Sequence, residues 1–277
     1  MSTNPAAPGV VVGVDATEQS GHAAVWAARE AVDRGTTLTV VHALDHIPGA
    51  SNASVERRRE AGAALLGRSV GRLANQYPDL SISVVLDERD AVRALAELSL
   101  DAELVVTGTR GYGGIVGALL RSVSTALAQH ARCPEVVVRG PQPAVAKQEL
   151  VLGLQTDEDP EPIEFAFRTA DRLGLTVRGV RAFQPASADD GAYVDDVEVG
   201  RRDALIGMGS LLRQHRLVYP EVPVVLEAHC GEPVAVLNKT AWDARLLVVG
   251  AHTRGVGRTV HELLALAGTP LAVIPRR

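Results

Sequence analysis

The sequence has few aromatic residues and few cysteines. Phenylalanine, tyrosine and tryptophan make up 3% of the 277 residues, whereas 46% are hydrophobic. The cores must therefore be built from aliphatic side chains. The two cysteines, Cys133 and Cys230, are far apart and show no metal-ligand spacing. This argues against a disulfide scaffold and a zinc site, and we expect each cysteine to be a buried, small apolar residue.

The sequence also lacks an excess of positive charge and long apolar runs. Its net charge is −5, whereas nucleic-acid-binding surfaces are basic. No apolar run reaches the length of a membrane span, and the N-terminus has no charged segment followed by an apolar one. The arginines between Glu56 and Glu60 are flanked by acids and predict a solvated helix face. We therefore expect a cytoplasmic protein with no nucleic-acid partner and no membrane partner.

What is present is an alternation of β-branched runs and helical periodicity. The runs 10–14, 38–43, 81–86, 104–106 and 135–139 predict strands, and segments 21–34, 55–77 and 91–100 predict helices. Gly35 is the expected end of the first helix. Strands that alternate with helices indicate right-handed βαβ units and a parallel, doubly wound sheet. Ligands bind such sheets where the strand order reverses, so Asp15 and Gly108, each at a strand end, are expected to meet one ligand.

The second half of the chain repeats the first. Asp243 to Gly250 mirrors Asp101 to Gly108, and Tyr219-Pro-Glu mirrors Tyr77-Pro-Asp at the same offset of 142 residues. This period is too long for a solenoid. It predicts a duplicated domain, with one copy in residues 1–143 and the other in residues 144–277.

A glycine-rich loop follows the fourth predicted strand. It contains Gly108 and Gly111, then further glycines at 113, 114 and 117, and it leads into a helix that is expected to open at Arg121 and Ser122. Glycines let backbone N–H groups approach an anion, and a helix N-terminus favours negative charge. Strand, glycine loop and helix in this order are typical of phosphate binding.

The spacing of this loop resembles the motif of the universal stress protein family, in its ATP-binding branch. Gly108, two residues, Gly111, nine residues and then Arg121-Ser122 follow that motif, except that arginine replaces a glycine. The duplicated chain resembles the tandem members of the family. The resemblance implies an α/β fold of two tandem doubly wound domains. Each would have a five-strand parallel sheet of order 3-2-1-4-5, flanked by helices.

The resemblance also implies an ATP site in the first domain. Asp15 would contact the ribose–adenine end, and the backbone near Val41 would meet the adenine edge. Gly108 would lie by the ribose, with Gly111 and Ser122 by the phosphates. A Mg²⁺ ion carried on the phosphates is compatible with this site, and no metal site formed by the protein itself is expected.

Arg121 leaves several alternatives open. Its guanidinium can pair with phosphate oxygens, or it can fill the pocket or bind the carboxylate of Asp15 or Glu18 and so exclude nucleotide. It can also point into solvent and leave its backbone N–H available. We favour retained but weakened binding. Asp15 and Ser122 also have a simpler interpretation as helix N-caps.

Other candidate residues have structural interpretations. His42 follows a buried strand without a neighbouring nucleophile, which favours a hydrogen-bonded structural histidine over a catalytic base. Trp26 and Trp242 are predicted on helices, in the core or an interface. The acidic stretch 87–90 is interpreted as a solvated loop.

The second repeat departs further from the motif. Gln155 replaces the aspartate, and the segment from Asp243 to Pro270 is six residues shorter than that from Asp101 to Pro134. The loss falls in the glycine loop and the helix start. We therefore expect no cofactor in the C-terminal domain.

The favoured function is a non-catalytic, adenine-nucleotide-binding stress-response or signalling protein with at most one ATP-type site. The alternative is an interaction or dimerisation module that has lost nucleotide binding. An enzyme is disfavoured, because no general base, nucleophile or carboxylate pair lies near the glycine loop; weak ATP hydrolysis stays open. The tandem chain is expected to form an intramolecular pseudo-dimer, and a homodimer is also compatible with it.

Overall fold

A computed structural model describes residues 9–44, 49, 51–109, 123–141, 147–155, 160–185, 193–251 and 257–276. The chain divides into two compact units, Met1–Gln142 and Pro143–Arg277. We refer to these as unit 1 and unit 2. In the described ranges, no helix combines the length and hydrophobicity of a membrane span.

Unit 1 is a parallel sheet with helices between its strands. Its elements are β1 (Val10–Gly13), α1 (Glu18–Arg34), β2 (Leu38–Ala43), α2 (Asn52–Gln76), β3 (Ile82–Asp87), α3 (Ala91–Leu98), β4 (Leu104–Gly108), α4 (Val123–His130) and β5 (Glu135–Val138). The strand order is β3-β2-β1-β4-β5, and every pairing within the unit is parallel. The predicted α/β fold and strand order are confirmed.

Unit 2 repeats this topology. Its elements are β6 (Lys147–Gly153), α5 (Pro160–Leu173), β7 (Thr176–Phe183), α6 (Tyr193–Val218), β8 (Val224–Cys230), α7 (Pro233–Thr240), β9 (Ala244–Gly250), α8 (Arg258–Leu266) and β10 (Leu271–Ile274). The order β8-β7-β6-β9-β10 is again parallel throughout. It corresponds strand by strand to unit 1.

Aliphatic side chains form most of the cores, as the composition predicts, although Phe165 and Phe167 are also buried in unit 2. Val10, Val11 and Val12 of the central strand β1 are completely buried, because helices cover both faces of a doubly wound sheet. On the side of α3 and α4, Val11 packs in a cluster with Val41, Leu95, Ala102, Val105, Leu127 and Cys133. Burial raises the pKa of the Cys133 thiol to about 12, so this cysteine is a core residue, as expected. Cys230 is only half-buried.

The ends of α1 follow from local capping. Gly35 has φ 63°, and its backbone N–H donates to the carbonyls of Ala31 and Val32. The predicted helix end is therefore confirmed. The N-cap is Thr17, whose side chain accepts from the backbone N–H of Ser20 at 3.3 Å. Because this cap precedes the apolar periodicity, α1 begins three residues before the predicted start at Gly21.

The prediction that Trp242 lies on a helix or in the core is wrong, and its alternative place in an interface stays a prediction. Trp242 lies in the turn between α7 and β9, and 77% of its surface is exposed. It is therefore neither helical nor part of the core. Trp26 is half-buried on α1. Helical periodicity alone could not separate the two, because exposure depends on what packs over each position.

Candidate functional site

A cavity of about 310 Å³ lies at the carboxyl ends of the strands of unit 1. It opens where β1 and β4 meet, which is the point at which the strand order reverses. This is the usual ligand position in an open α/β sheet. Asp15, Val41 and Gly108 all line the cavity. The structure thus brings together three of the residues that the sequence predicts to bind nucleotide.

The remaining predicted site residues, Gly111, Arg121 and Ser122, lie outside the described residues. The description stops at Thr109 after β4 and resumes at Val123, the first residue of α4. Thr109 and Val123 both line the cavity. The predicted phosphate-binding segment therefore joins two ends that are at the cavity, and the roles expected for its residues stay predictions.

Asp15 orders the loop between β1 and α1. Its Oδ1 accepts the backbone N–H of Thr17 at 2.9 Å and also the Thr17 hydroxyl. The side chain is exposed at the cavity. Because Thr17 caps α1, the alternative interpretation of Asp15 as the N-cap is wrong. Asp15 holds the capping residue and presents a carboxylate beside the cavity.

Ser20 completes this loop, and the sequence analysis did not single it out. Its side chain is buried, with Oγ 2.8 Å from the Asp15 carbonyl that accepts from it and 3.1 Å from the Asp15 N–H that donates to it. Both backbone groups of Asp15 are thereby held in place. A serine three residues after a capping threonine was the available signal.

Gly108 is required by packing. A Cβ built on it would lie 2.9 Å from the backbone C and O of Gln19 and 3.0 Å from the backbone N of Ser20. These distances are shorter than a real Cβ tolerates, and the neighbours are backbone atoms that cannot rotate away. The end of β4 can approach the first turn of α1 only because residue 108 is glycine.

Val41 and His42 form the wall contributed by β2. The Val41 carbonyl accepts the backbone N–H of Val14 at 2.8 Å, and its side chain is 2% exposed. The Nδ1–H of His42 donates to the Val14 carbonyl, also at 2.8 Å. His42 is thus a hydrogen-bonded structural histidine, as predicted. Together these bonds hold the end of β1 against β2.

A buried polar pair lies beside the cavity wall, and sequence reasoning missed it. The Thr107 hydroxyl donates to Glu135 Oε1 at 2.9 Å, and Thr107 also lines the cavity. Glu135 is 1% exposed, and among the described residues none forms a hydrogen bond with its Oε2. Burial raises the pKa of Glu135 well above its ordinary range, since desolvation penalises the charged form, although the bond from Thr107 opposes this.

Comparison with known proteins finds a family similarity for unit 1. Residues 9–139 match the family model described as the universal stress protein family. This stretch of the chain is therefore similar to universal stress proteins. The match spans every described element of unit 1 from β1 to β5.

Known universal stress proteins align with both units of this chain. Rv2005c from Mycobacterium tuberculosis H37Rv is 29% identical over 290 residues, which cover 96% of each chain. A universal stress protein from Mycolicibacterium smegmatis is 29% identical over 294 residues and covers 97% of each chain. The crystal structure of a universal stress protein from Archaeoglobus fulgidus has a TM-score of 0.72 at 15% identity, covering 97% of this chain and 98% of that one. The last likeness shows the fold, and the full-length coverage is consistent with a two-unit layout.

Unit 2 has a corresponding cavity with different walls. It measures about 270 Å³ and is lined by Gln155, Arg181 and Val249 among others. These residues occupy the positions that Asp15, His42 and Thr107 have in unit 1. At these three positions the second cavity thus has an amide, a guanidinium and an aliphatic side chain in place of the carboxylate, imidazole and hydroxyl of the first.

Asp87 and Asp90 of unit 1 bond to residues that are close to them in the sequence. Asp87 forms an ion pair with Arg89 at 2.7 Å, and this arginine lowers the pKa of the Asp87 carboxyl. Asp90 caps α3 by accepting from the Arg93 N–H at 3.0 Å. Across the described part of the chain, no three His, Cys, Asp or Glu side chains cluster as metal ligands would.

Proposed function

We propose that this chain is an adenine-nucleotide-binding stress-response protein whose single ATP-type site lies in unit 1, within residues 1–143. The observation that carries the proposal is the cavity at the reversal of strand order. It gathers Asp15, Val41 and Gly108 around a space of about 310 Å³. Cavities that bind small molecules in proteins measure about 300–1,000 Å³.

Each wall residue has a role in this proposal. The Asp15 carboxylate accepts hydrogen bonds from the ribose hydroxyls, since its backbone is fixed by Ser20 and its side chain is exposed to the cavity. The carbonyl of Val41 is already bonded to the Val14 N–H, so the adenine edge meets the backbone near Val41 at the end of β2, where His42 and Ala43 also line the cavity. The phosphates extend toward the segment between Thr109 and Val123, where the glycine motif lies.

The protein acts by binding, with no catalysis of its own. Among the described residues that line the cavity, Asp15 and His42 are the titratable ones. Asp15 binds Thr17, and Nδ1 of His42 binds the Val14 carbonyl. Neither contacts a serine or cysteine nucleophile through these bonds. The site therefore has the character of a ligand sensor.

Isothermal titration calorimetry of the full chain with ATP and with AMP, each with and without Mg²⁺, tests the proposal. We expect saturable binding at one nucleotide per chain. Asp15→Asn should weaken it about ten- to hundredfold, because a charge-assisted hydrogen bond is lost. Asparagine keeps the oxygen that accepts from Thr17, so the loop should stay ordered.

The matched control is Gln155→Asn at the corresponding position of unit 2. This variant should leave affinity and stoichiometry unchanged. Absence of binding by the unmodified chain would overturn the proposed function and favour an interaction module without a nucleotide. Two nucleotides per chain would contradict the assignment of the site to unit 1 alone.

A further inference from the structure

The two units differ at a pair of buried positions behind the cavity wall. In unit 1, Thr107 and Glu135 lie on neighbouring strands and share a hydrogen bond. Val249 and Leu271 occupy the same positions in unit 2. The registers agree, because Glu135 pairs with Val105 in unit 1 and Leu271 pairs with Leu247 in unit 2. A polar pair in one unit thus corresponds to an apolar pair in the other.

The polar pair is costly for folding. Glu135 is 1% exposed and Thr107 is 4% exposed, and Glu135 Oε2 has no partner among the described residues. A buried polar group without a partner destabilises the folded state. Unit 2 shows that valine and leucine fill the same positions, with Val249 5% and Leu271 1% exposed. Packing alone therefore does not explain the threonine and the glutamate of unit 1.

The hydrogen bond determines what Thr107 can offer to the cavity. A hydroxyl has one hydrogen to donate and two lone pairs that accept. Since the hydrogen of Thr107 is directed to Glu135 Oε1, only the acceptor capacity of Oγ1 remains. Thr107 lines the cavity next to Gly108, where the corresponding wall of unit 2 has the methyl groups of Val249.

We propose that Glu135 is a positioning residue for the nucleotide site: it takes the hydroxyl hydrogen of Thr107 and so presents Thr107 Oγ1 to the ligand as a hydrogen-bond acceptor. The inference rests on the proposed function. The group that Oγ1 recognises is a hydrogen-bond donor, which in an adenine nucleotide is a ribose hydroxyl or the adenine amino group. Glu135 never touches the ligand, and it acts through Thr107.

Four variants of the full chain test this, and unit 2 provides their design. Thr107→Val and Glu135→Leu install the residues of unit 2, singly and together. Glu135→Gln keeps an acceptor oxygen and serves as the conservative rescue. AMP affinity is measured by calorimetry and thermal stability by melting without ligand.

We expect affinity and stability to move in opposite directions. Thr107→Val and Glu135→Leu should each weaken AMP binding about three- to tenfold, the value of one net hydrogen bond. The double variant should lose no more than Thr107→Val alone, because Glu135 acts on the ligand only through Thr107 Oγ1, which that single variant already removes. Its melting temperature should rise by about 2–4 °C, since a buried polar pair is replaced by apolar groups that unit 2 accommodates. Glu135→Gln should bind AMP like the unmodified chain.

Three AMP analogues identify the recognised donor. The 2′-deoxy and 3′-deoxy forms each lack one hydroxyl, and inosine monophosphate lacks the amino group. The analogue that lacks the donor recognised by Thr107 should bind the unmodified chain and Thr107→Val with equal affinity. Unchanged AMP affinity in both single variants would overturn the inference while leaving the proposed function intact. Failure of the unmodified chain to bind AMP or ATP would overturn both.

Discussion

The two units share one topology and differ at three positions that line their cavities. Each unit orders its parallel strands in the same way, and each has a cavity at the carboxyl ends of its strands. Unit 1 lines this cavity with Asp15, His42 and Thr107, whereas unit 2 has Gln155, Arg181 and Val249. The fold thus forms with either set of residues, so the topology alone does not require the polar lining of unit 1.

A second difference lies at the end of the first helix in each unit. In α1, Arg34 Nε donates to Glu30 Oε1 at 2.8 Å, and these side chains are only 4% and 6% exposed. When Gly35, which follows α1, is aligned with Gly174, which follows α5, Glu30 corresponds to Thr169 and Arg34 to Leu173. Unit 1 therefore buries an ion pair where unit 2 has a hydroxyl and an aliphatic side chain.

The largest expected effect comes from breaking this ion pair on one side. Glu30→Thr leaves the Arg34 guanidinium buried, and among the described residues Glu103 at 3.4 Å is its remaining acidic contact. We expect the free energy of unfolding to fall by about 3 kcal/mol, because an uncompensated buried charge is strongly unfavourable. The measurement is denaturant unfolding at neutral pH.

The double variant Glu30→Thr/Arg34→Leu reproduces unit 2 and is the control. It should recover most of the lost stability, since no charge remains buried. If the double variant were as unstable as Glu30→Thr, the loss of stability could not be explained by an uncompensated charge on Arg34.

The next effect concerns the close approach of β4 to α1. Gly108→Ala places a methyl group within 3.0 Å of backbone atoms of Gln19 and Ser20. Overpacking of this kind should lower the free energy of unfolding by about 1–3 kcal/mol. Nucleotide binding should weaken as well, because the loop that carries Asp15 must shift.

Gly67→Ala on α2 is the matched control for Gly108→Ala. A Cβ at residue 67 would meet no atom within 4 Å, so alanine should stabilise the helix by about 0.5–1 kcal/mol. Equal effects of the two substitutions in urea unfolding would contradict the packing requirement at Gly108.

The smallest expected effect is a pH dependence that unit 1 has and unit 2 lacks at the corresponding position. Because the pKa of Glu135 is raised in the folded state, the folded chain holds this proton more tightly than the unfolded chain. The stability that the Glu135 carboxyl contributes is present below the ordinary carboxyl pKa. It is lost as pH rises through the pKa that this group has in the folded chain. The slope is at most about 1.4 kcal/mol per pH unit for one proton.

Glu135→Gln should remove the loss of stability with rising pH that Glu135 causes. The free energy of unfolding, measured by urea denaturation from pH 5 upward, should fall less with rising pH in the variant than in the unmodified chain. Parallel curves would contradict a raised pKa of the buried Glu135 carboxyl. Leu271 of unit 2 has no proton to lose, so the effect belongs to unit 1.

Much of the fold could be read from local patterns. β2 has the predicted bounds, Leu38–Ala43, and Gly35 ends α1 as expected. Continuous β-branched runs mark strands that are buried on both faces, and a glycine after a helix adopts the left-handed conformation that other residues avoid. The prediction that Asp15 and Gly108 meet at one cavity followed from the same rules, because parallel strands end at one edge.

What the sequence could not show is which polar residues become buried and what they bind. Glu135 stands at the start of a valine run, where a glutamate is equally compatible with an exposed strand end. Ser20 looks like an ordinary residue of a helical first turn. Their roles arise from partners on other segments, Thr107 across the sheet and Asp15 across the loop.

The sequence by itself determined the duplicated α/β topology, because hydrophobic periodicity and glycine position are local properties that repeat in both halves. It also determined the position of a glycine motif after β4. Only the tertiary structure decided that Gly108 is needed against the backbone of α1 and that Trp242 stays exposed. It also placed the Thr107 hydroxyl on a buried carboxylate. Steric contact, burial and hydrogen-bond partnership between distant residues exist only once the chain has folded, and they distinguish unit 1 from its copy.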